Sequence, residues 1–350
     1  MHARPVLGLT MGDPAGIGPD ITLQAWHHLV HDRSAGASLA FVVYADAAML
    51  AARAQSLRLN VPITVIDDAS QAAAVFPAAL PVIDIALAAP CVAGASNSAN
   101  AAATLSAITR AVADVARGAT AAIVTNPIAK AVLYAAGFAH PGHTEFLGAL
   151  SRQHWPAHNV VPVMLLASDV LRVVPLTIHV ALERVPSLIS EDLIIATART
   201  LNAALRCDFA ISEPRIAVAG LNPHAGEGGS LGREDVDVIA PAIARLLAAG
   251  LAISGPHSAD PLFHAAARQT YDAVIAMYHD QALIPIKTLS FDTGVNVTLG
   301  LPFVRTSPDH GTAFDIAGVG TASPQSLLAA LHLAADMASK RVAMMHEATP

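Results

Sequence analysis

Short apolar runs alternate with helical patterns along the whole chain. Runs rich in Val, Ile and Ala predict strands at residues 6–10, 40–43, 63–66, 80–83, 121–125, 160–167, 171–178, 216–219, 273–277 and 295–299. Apolar residues at helical spacing predict helices at residues 20–31, from a cap at Asn97 or Ser98 to about Arg117, and at 191–207, 235–248 and 325–341. Strands of this kind, alternating with helices, predict an α/β protein with a largely buried sheet.

The chain shows no internal repeat, no linker and no low-complexity tract. Its 350 residues are 54% hydrophobic and 13% charged, which excludes a disordered protein. The formal net charge of −7 argues against a nucleic-acid-binding protein, which would carry a basic patch. Cys91 and Cys207 are the two cysteines, too few for a disulfide framework or a Cys-rich zinc site.

The mean hydropathy of +0.50 raises the question of a membrane span. The longest uncharged run, residues 85–109, is long enough to cross a bilayer, but Pro90, Gly94 and the polar residues 96–100 interrupt it. The chain does not open with the charged and apolar regions of a secretory signal. These observations predict a soluble, cytoplasmic protein without a membrane partner.

Three histidines follow predicted strands, where ligands of α/β proteins bind. His179 follows the run 171–178, His224 lies in the glycine-rich segment 220–229, and His279 follows the run 273–277. Three imidazoles with open positions predict a divalent-metal site, with Asp260 and Asp280 as further ligands or as orienting groups. The alternative is that each is an ordinary polar residue at a strand end. His27, His28 and His31 are interpreted as a solvated helix face.

A second group of residues is suited to a small anionic substrate. His143 and Thr144 lie in a loop that precedes a predicted helix, and Lys287, Asn296 and Arg305 follow His279 within a short stretch. A simple helix cap at Thr144, or solvated surface groups, are the alternatives. The turn at residues 10–19 is rich in glycine but lacks the spacing of a dinucleotide fingerprint or a P-loop, and could be a tight turn without a ligand.

The segment 307–318 is the most distinctive late motif. It resembles the loop that holds the adenosine part of NAD in isocitrate and isopropylmalate dehydrogenases. The resemblance implies a nucleotide-binding role for Asp309, His310, Gly311, Thr312, Ala313 and Asp315.

Taken together, the motifs resemble those of the 4-hydroxythreonine-4-phosphate dehydrogenase family of pyridoxal phosphate biosynthesis. They are the segments 12–19, 125–130, 142–146, 222–229, 277–281 and 309–313, in the family's order from about Leu7 to about Leu331. The resemblance implies an isocitrate/isopropylmalate dehydrogenase-like fold, with two α/β domains that share a sheet and a cleft between them. It also implies a homodimer with active sites at the subunit interface.

The family's residue roles map onto this chain motif by motif. The resemblance implies metal ligation by His179, His224 and His279, and substrate contacts from His143, Thr144, Lys287, Asn296 and Arg305. The metal would be zinc, magnesium or cobalt, and the oxidant NAD or NADP. Lys287 or a carboxylate such as Asp260 is the candidate base, and Asp260 and Asp280 lie beside the metal. The expected domains are 1–125 with 286–350, carrying the nucleotide loop, and 126–285, for metal, substrate and dimerisation.

The expected reaction is oxidation of 4-phosphohydroxy-L-threonine to 2-amino-3-oxo-4-(phosphooxy)butanoate, which loses carbon dioxide to give 3-amino-2-oxopropyl phosphate. Relatives that oxidise D-threonate or D-erythronate 4-phosphate, or a cis-dihydrodiol dicarboxylate, are the first alternative. A metal-dependent hydrolase and a non-catalytic sugar-phosphate-binding protein are others. The hydrolase has no use for the nucleotide loop, and the binding protein predicts ligand binding without any reduction of the nucleotide.

Overall fold

The computed structural model describes residues 5–31, 39–140 and 142–347. Residues 346 and 347 are described only as helix backbone. The chain divides into two compact units, Met1–Val160 with Leu301–Ser339, and Val161–Gly300 with Lys340–Pro350. The predicted boundaries, after residues 125 and 285, lie earlier in the chain in both cases.

The first stretch of the first unit alternates strands and helices. Its elements are β1 (Val6–Thr10), α1 (Gly18–His31), β2 (Ala40–Ala45), α2 (Ala47–Ser56), β3 (Ile63–Val65), α3 (Ala72–Val75), β4 (Leu80–Asp84), α4 (Ala101–Ala116), β5 (Ala122–Thr125), α5 (Lys130–Ala135) and α6 (His143–His154). All six residues of β2 are buried, as expected of a central strand covered on both faces.

The second unit carries the elements β6 (Val163–Ala167), β7 (Arg172–Thr177), α7 (Val185–Leu188), α8 (Glu191–Cys207), β8 (Ile216–Ala219), α9 (Ala240–Ala248), β9 (Ile253–His257), β10 (Ala273–Tyr278), α10 (His279–Leu289) and β11 (Val295–Leu299). The last stretch of the chain adds β12 (Val304–Pro308) to the first unit and ends in α11 (Gln325–Glu347).

The strands of the first unit pair in parallel throughout. β1 pairs with β2 and β5, β4 pairs with β2 and β3, and β12 pairs with β5. In the second unit β10 pairs in parallel with β7 and β8, and β8 with β9. β6 runs antiparallel to both β7 and β11. The α/β class predicted from the sequence is confirmed.

Helix boundaries follow local capping. The Asp46 side chain accepts a hydrogen bond from the Met49 amide at the start of α2, and Ser190 accepts one from the Leu193 amide at α8. Asn97, a predicted cap, accepts from the Ala99 amide in the 3₁₀ turn that leads into α4. The predicted helix 235–248 instead starts as a π-helical turn, Asp235–Ile239, before α9.

Two strands and several helices escaped the sequence prediction. β9 contains Gly255 and Pro256, and β12 contains Arg305, Thr306 and Ser307, so neither has the apolar pattern of a strand. All five residues of β12 are nevertheless buried. The helices α2, α3 and α5, and the helix α10 that begins at His279, were also not predicted.

None of the helices in the described part of the chain combines the length and the apolar character needed to cross a bilayer.

Candidate functional site

Two of the three predicted metal histidines lie side by side in the second unit. His179 follows β7, and His279 is the first residue of α10, directly after β10. Because β7 and β10 are parallel neighbours, their carboxyl ends coincide, and the two imidazole centroids are 5.6 Å apart. Both rings line a cavity of about 280 Å³, together with Thr177, Tyr278 and Asp280 and the apolar residues Val180, Leu182 and Val185.

A carboxylate orients one ring of this pair. His279 Nδ1 lies 2.7 Å from Asp280 Oδ1, a hydrogen bond that leaves Nε2 for another partner. Asp280 is itself mostly exposed, with 70% of its side chain accessible. Asp280 therefore fits the role of an orienting group.

His224 lies in a left-handed turn of the backbone. Five consecutive residues, 224–228, have φ between 42° and 74°, and three of them are not glycine: His224, Ala225 and Glu227. L-residues adopt this conformation at a cost, and such strain clusters at functional sites. His224 is exposed and is not among the residues that line the His179–His279 cavity.

The chemistry of the side chains at this cavity indicates which of the predicted metals they would bind. Two imidazoles lining one cavity, one of them held by a carboxylate, fit two ligands of a zinc- or cobalt-like ion better than magnesium, which prefers oxygen. Within the described residues, no three His, Cys, Asp or Glu side chains are arranged as a complete metal site. The structure therefore brings together His179, His279 and Asp280, but does not join His224 to them.

The other predicted residues of the second unit are more dispersed. Asp260 lies beyond β9 and is exposed. Lys287 lies on α10, eight residues after His279, with Nζ 5.6 Å from the centroid of the Phe291 ring. Asn296 is a half-buried residue of β11.

The first unit brings His143 and Arg305 together. Arg305, on β12, is 6% exposed, and its Nε and Nη2 atoms donate to Thr125 Oγ1 at 3.2 and 2.6 Å. His143 is the first residue of α6, and its Nε2 is buried without a hydrogen-bond partner in the structure. Gly142 supplies no side-chain cap to α6. Helix N-termini attract anions, so this group fits a phosphate or a carboxylate.

Electrostatics at this group favour a neutral imidazole. Burial holds the pKa of His143 well below its ordinary value, and the positive charges of Arg305 and Lys130 lower it further. Burial also lowers the pKa of Arg305 to about 10, which leaves the guanidinium charged at neutral pH. The site thus offers one buried fixed cation beside a neutral hydrogen-bonding ring. Thr144 follows His143 in the first turn of α6.

The predicted nucleotide loop packs on the glycine-rich turn at the start of the chain. The Ile17 amide donates to the Thr312 carbonyl at 2.9 Å, and a Cβ at Gly16 would come within 2.8 Å of the same oxygen. The glycines of this turn therefore permit close backbone approach. Farther along the loop, the Gly318 amide donates to Asp20 Oδ2 at 2.7 Å.

Two features of the loop suit a ligand. His310 Nδ1 lies 3.0 Å from the Gly311 carbonyl, and His310 Nε2 is buried without a hydrogen-bond partner in the structure. Ala313 has a φ of 41°, a strained value for alanine. An orphaned buried nitrogen of this kind fits the base of a bound nucleotide. Of the other predicted loop residues, the Asp309 amide donates to Ser326, and Asp315 is exposed.

Two threonines at strand ends contact the candidate sites, and the sequence analysis assigned neither of them a role. Thr125 ends β5 and accepts from Arg305, whereas Thr177 ends β7 and donates to the Met277 carbonyl at 2.8 Å. A hydroxyl as the last residue of an otherwise apolar strand is the signal that would have identified both.

Comparison with known proteins agrees with these motifs. The family model for pyridoxal phosphate biosynthetic protein PdxA matches residues 37–334. A protein from Methylorubrum extorquens named 4-hydroxythreonine-4-phosphate dehydrogenase is 55% identical over 341 residues, covering 96% of this chain and 95% of that protein.

Solved structures show the same relationship. A 4-hydroxythreonine-4-phosphate dehydrogenase from Klebsiella pneumoniae has a TM-score of 0.85 at 37% identity, over 97% of this chain and 99% of that one. A terephthalate 1,2-cis-dihydrodiol dehydrogenase from Burkholderia xenovorans is more distant, with a TM-score of 0.62 at 26% identity over 95% and 98% of the two chains. The chain belongs to the family of the pyridoxal phosphate biosynthetic protein PdxA, the 4-hydroxythreonine-4-phosphate dehydrogenases.

Proposed function

We propose that the chain catalyses the NAD(P)-dependent, metal-dependent oxidation of 4-phosphohydroxy-L-threonine in pyridoxal phosphate biosynthesis. The observation that carries this proposal is the 55% identity with a named 4-hydroxythreonine-4-phosphate dehydrogenase across 96% of the chain. The reaction removes a hydride from C3 and a proton from its hydroxyl. The resulting β-keto acid loses carbon dioxide and leaves 3-amino-2-oxopropyl phosphate.

His179 and His279 would hold the divalent metal, and His224 is proposed as the third ligand. A bound metal lowers the pKa of a coordinated hydroxyl and stabilises the charge that develops on its oxygen. Asp280 fixes the tautomer of His279 through the 2.7 Å hydrogen bond. Imidazole ligands favour zinc or cobalt over magnesium.

Arg305, His143 and Thr144 are proposed to bind an anionic group of the substrate. The buried guanidinium supplies the charge, and the neutral His143 ring and the first turn of α6 supply hydrogen-bond donors. Lys287 and Asn296 keep their predicted roles as substrate contacts. Lys287 or Asp260 is the proposed base, because Asp280 already accepts a hydrogen bond from His279.

The loop of Asp309, His310, Gly311, Thr312, Ala313 and Asp315 is proposed to bind NAD or NADP, which accepts the hydride when bound. The buried, unpartnered Nε2 of His310 supports this assignment. A homodimer with active sites at the subunit interface and a cytoplasmic location complete the proposal, both supported by family membership.

Two observations favour this reaction over those of a cis-dihydrodiol dehydrogenase, a hydrolase and a non-catalytic binding protein. The identity with the cis-dihydrodiol dehydrogenase is 26%, against 55% with the 4-hydroxythreonine-4-phosphate dehydrogenase. A hydrolase or a non-catalytic binding protein would have no use for the nucleotide loop.

The test is a nicotinamide-reduction assay on the purified protein. Substrates are 4-phosphohydroxy-L-threonine, D-threonate 4-phosphate, D-erythronate 4-phosphate and the cis-dihydrodiol of terephthalate, each with and without a chelator. We expect the first to be preferred by at least about tenfold in kcat/KM, and the chelator to abolish the reaction. His279→Gln should abolish it too, and His264→Gln, an exposed histidine of the same unit, should not. A preference for a sugar-acid phosphate would overturn the substrate assignment.

A further inference from the structure

One glutamine side chain joins the two strand ends that precede His224 and His279. Gln281 Nε2 donates to the Gly220 carbonyl at 2.8 Å, and Gln281 Oε1 accepts from the Met277 amide at 2.6 Å. Met277 lies two residues before His279, and Gly220 lies four residues before His224. The amide is thus satisfied at both ends by backbone groups of two neighbouring strands.

The register of the sheet shows what this amide replaces. β10 and β8 form a parallel ladder that ends at the pair Ile275 and Val218. Continuing this register two residues would place Met277 opposite Gly220, the two residues that Gln281 bridges. On the other side of β10 the ladder with β7 continues to Tyr278 and Thr177. Gln281 therefore occupies the gap where β8 separates from β10.

The glycine-rich segment 220–229, called the His224 loop below, is also held on the side opposite Gln281. Asp235, which is fully buried, accepts the amides of Leu221 and Asn222 at 2.8 and 3.1 Å. A Cβ at Gly220 would meet Asp235 Oδ1 at 2.7 Å and Ala225 Cα at 2.8 Å. Because Asp235 holds the start of this loop on one side and Gln281 on the other, it has little freedom to move.

We infer that Gln281 is a positioning residue that sets the separation between the His224 loop and the His179–His279 pair. An amide supplies an acceptor and a donor at a fixed spacing, which no carboxylate, hydroxyl or apolar side chain can do. The inference concerns the metal site and rests on the proposed function. Removing a group that orients metal ligands in this way typically changes metal affinity by about 10- to 100-fold.

The test measures Co²⁺ binding to the metal-free protein by visible absorption, which reports the number and geometry of ligands. Gln281→Glu keeps the acceptor for Met277 but places an oxygen against the Gly220 carbonyl. We expect Co²⁺ affinity to fall by at least about tenfold and the absorption of the saturated complex to change. Gln269→Glu, the same change at an exposed glutamine of the same unit, should match the wild type.

A purely structural role for Gln281 would lower the Tm of the metal-free protein and leave the spectrum of the saturated Co²⁺ complex unchanged. Gln281→Met retains the length of the side chain, and replaces Gln281→Glu if that variant does not fold. Affinities within about threefold of the wild type, with the same spectrum, would overturn the inference. The metal site itself would be wrong if His279→Gln bound Co²⁺ as the wild type does.

Discussion

Backbone strain is concentrated in the candidate sites. Among the described residues, seven that are not glycine have positive φ. Four of them lie in the sequence motifs, His224, Ala225, Glu227 and Ala313, and a fifth, His179, is a predicted metal ligand. Each such residue costs on the order of 1–3 kcal/mol, so the surrounding structure must hold it in place. The left-handed conformation of these positions could not be predicted from the sequence, because histidine, alanine and glutamate carry no clear signal for it.

Arg305→Lys should separate substrate binding from chemistry. A lysine keeps the charge but loses the planar guanidinium that reaches Thr125 through two nitrogens. We expect KM for the phosphorylated substrate to rise by about tenfold or more with a smaller change in kcat, measured by steady-state kinetics. Arg152→Lys, at an exposed position of α6, is the matched control. An unchanged KM would remove Arg305 from the anion site.

At the level of elements, strands with an apolar or an alternating pattern were predictable, and strands without one were not. The runs that became β1, β8 and β11 were assigned with the correct ends. β1 and β8 are mostly apolar, β11 alternates apolar residues with Asn296 and Thr298, and turn-forming residues bound all three. β12 escaped because Arg305, Thr306 and Ser307 occupy buried positions that are normally apolar. Arg305 donates to Thr125 at the candidate anion group, whereas Thr306 donates to the Ala330 carbonyl of α11. One of the two strands that the pattern missed therefore carries a predicted substrate residue.

The segment from β8 into the His224 loop should be sensitive to a single methyl group. The Cβ of Gly220→Ala would lie 2.8 Å from Ala225 Cα and 2.7 Å from Asp235 Oδ1. The Cβ of Gly228→Ala would meet nothing within 4 Å, so this variant carries only the backbone strain of a φ of 66°. We expect Gly220→Ala to lower stability by roughly 2 kcal/mol or more and Gly228→Ala by about 1 kcal/mol. Calorimetric Tm values of the two metal-free variants decide between these expectations. Equal losses would mean that backbone strain, and not crowding, limits this loop.

At the level of the whole molecule, the α/β class follows from the alternating pattern of the sequence. The structure places the motifs at residues 12–19 and 309–313 in one unit, where the Ile17 amide donates to the Thr312 carbonyl. The unit boundaries could not be predicted, because no change in composition marks Val160 or Gly300. The relation of His224 to the other two histidines was likewise beyond sequence reasoning, since it depends on how far β8 separates from β10.

The pH dependence of stability is a property of the whole chain. Burial lowers the pKa of His143, His332 and His27, and neighbouring positive charges lower each further. The unfolded chain then binds protons that the folded chain does not, so stability falls as the pH drops below about 6.5 toward the folded pKa values. Each group contributes at most about 1.4 kcal/mol per pH unit in that window, and His27, which is only partly buried, contributes little.

Calorimetric Tm values between about pH 7.5 and pH 5.5, with a chelator present, test this dependence. The Tm of the His143→Gln variant should fall less steeply on acidification than the Tm of the wild type, because glutamine does not titrate. His158→Gln, at an exposed loop position, should retain the wild-type slope. Parallel curves for all three proteins would show that His143 takes no part.

The pairing of β12 with β5 has a consequence for synthesis on the ribosome. Thr125 and Arg305 are 180 residues apart, so a nascent chain carries β5 with one unpaired edge while all of β6 to β11 is translated. At cellular elongation rates that interval is on the order of ten seconds or more, and open edges invite pairing with other chains. The guanidinium emerges only with β12, so no anion can bind this group and stabilise the unit until β12 has been translated.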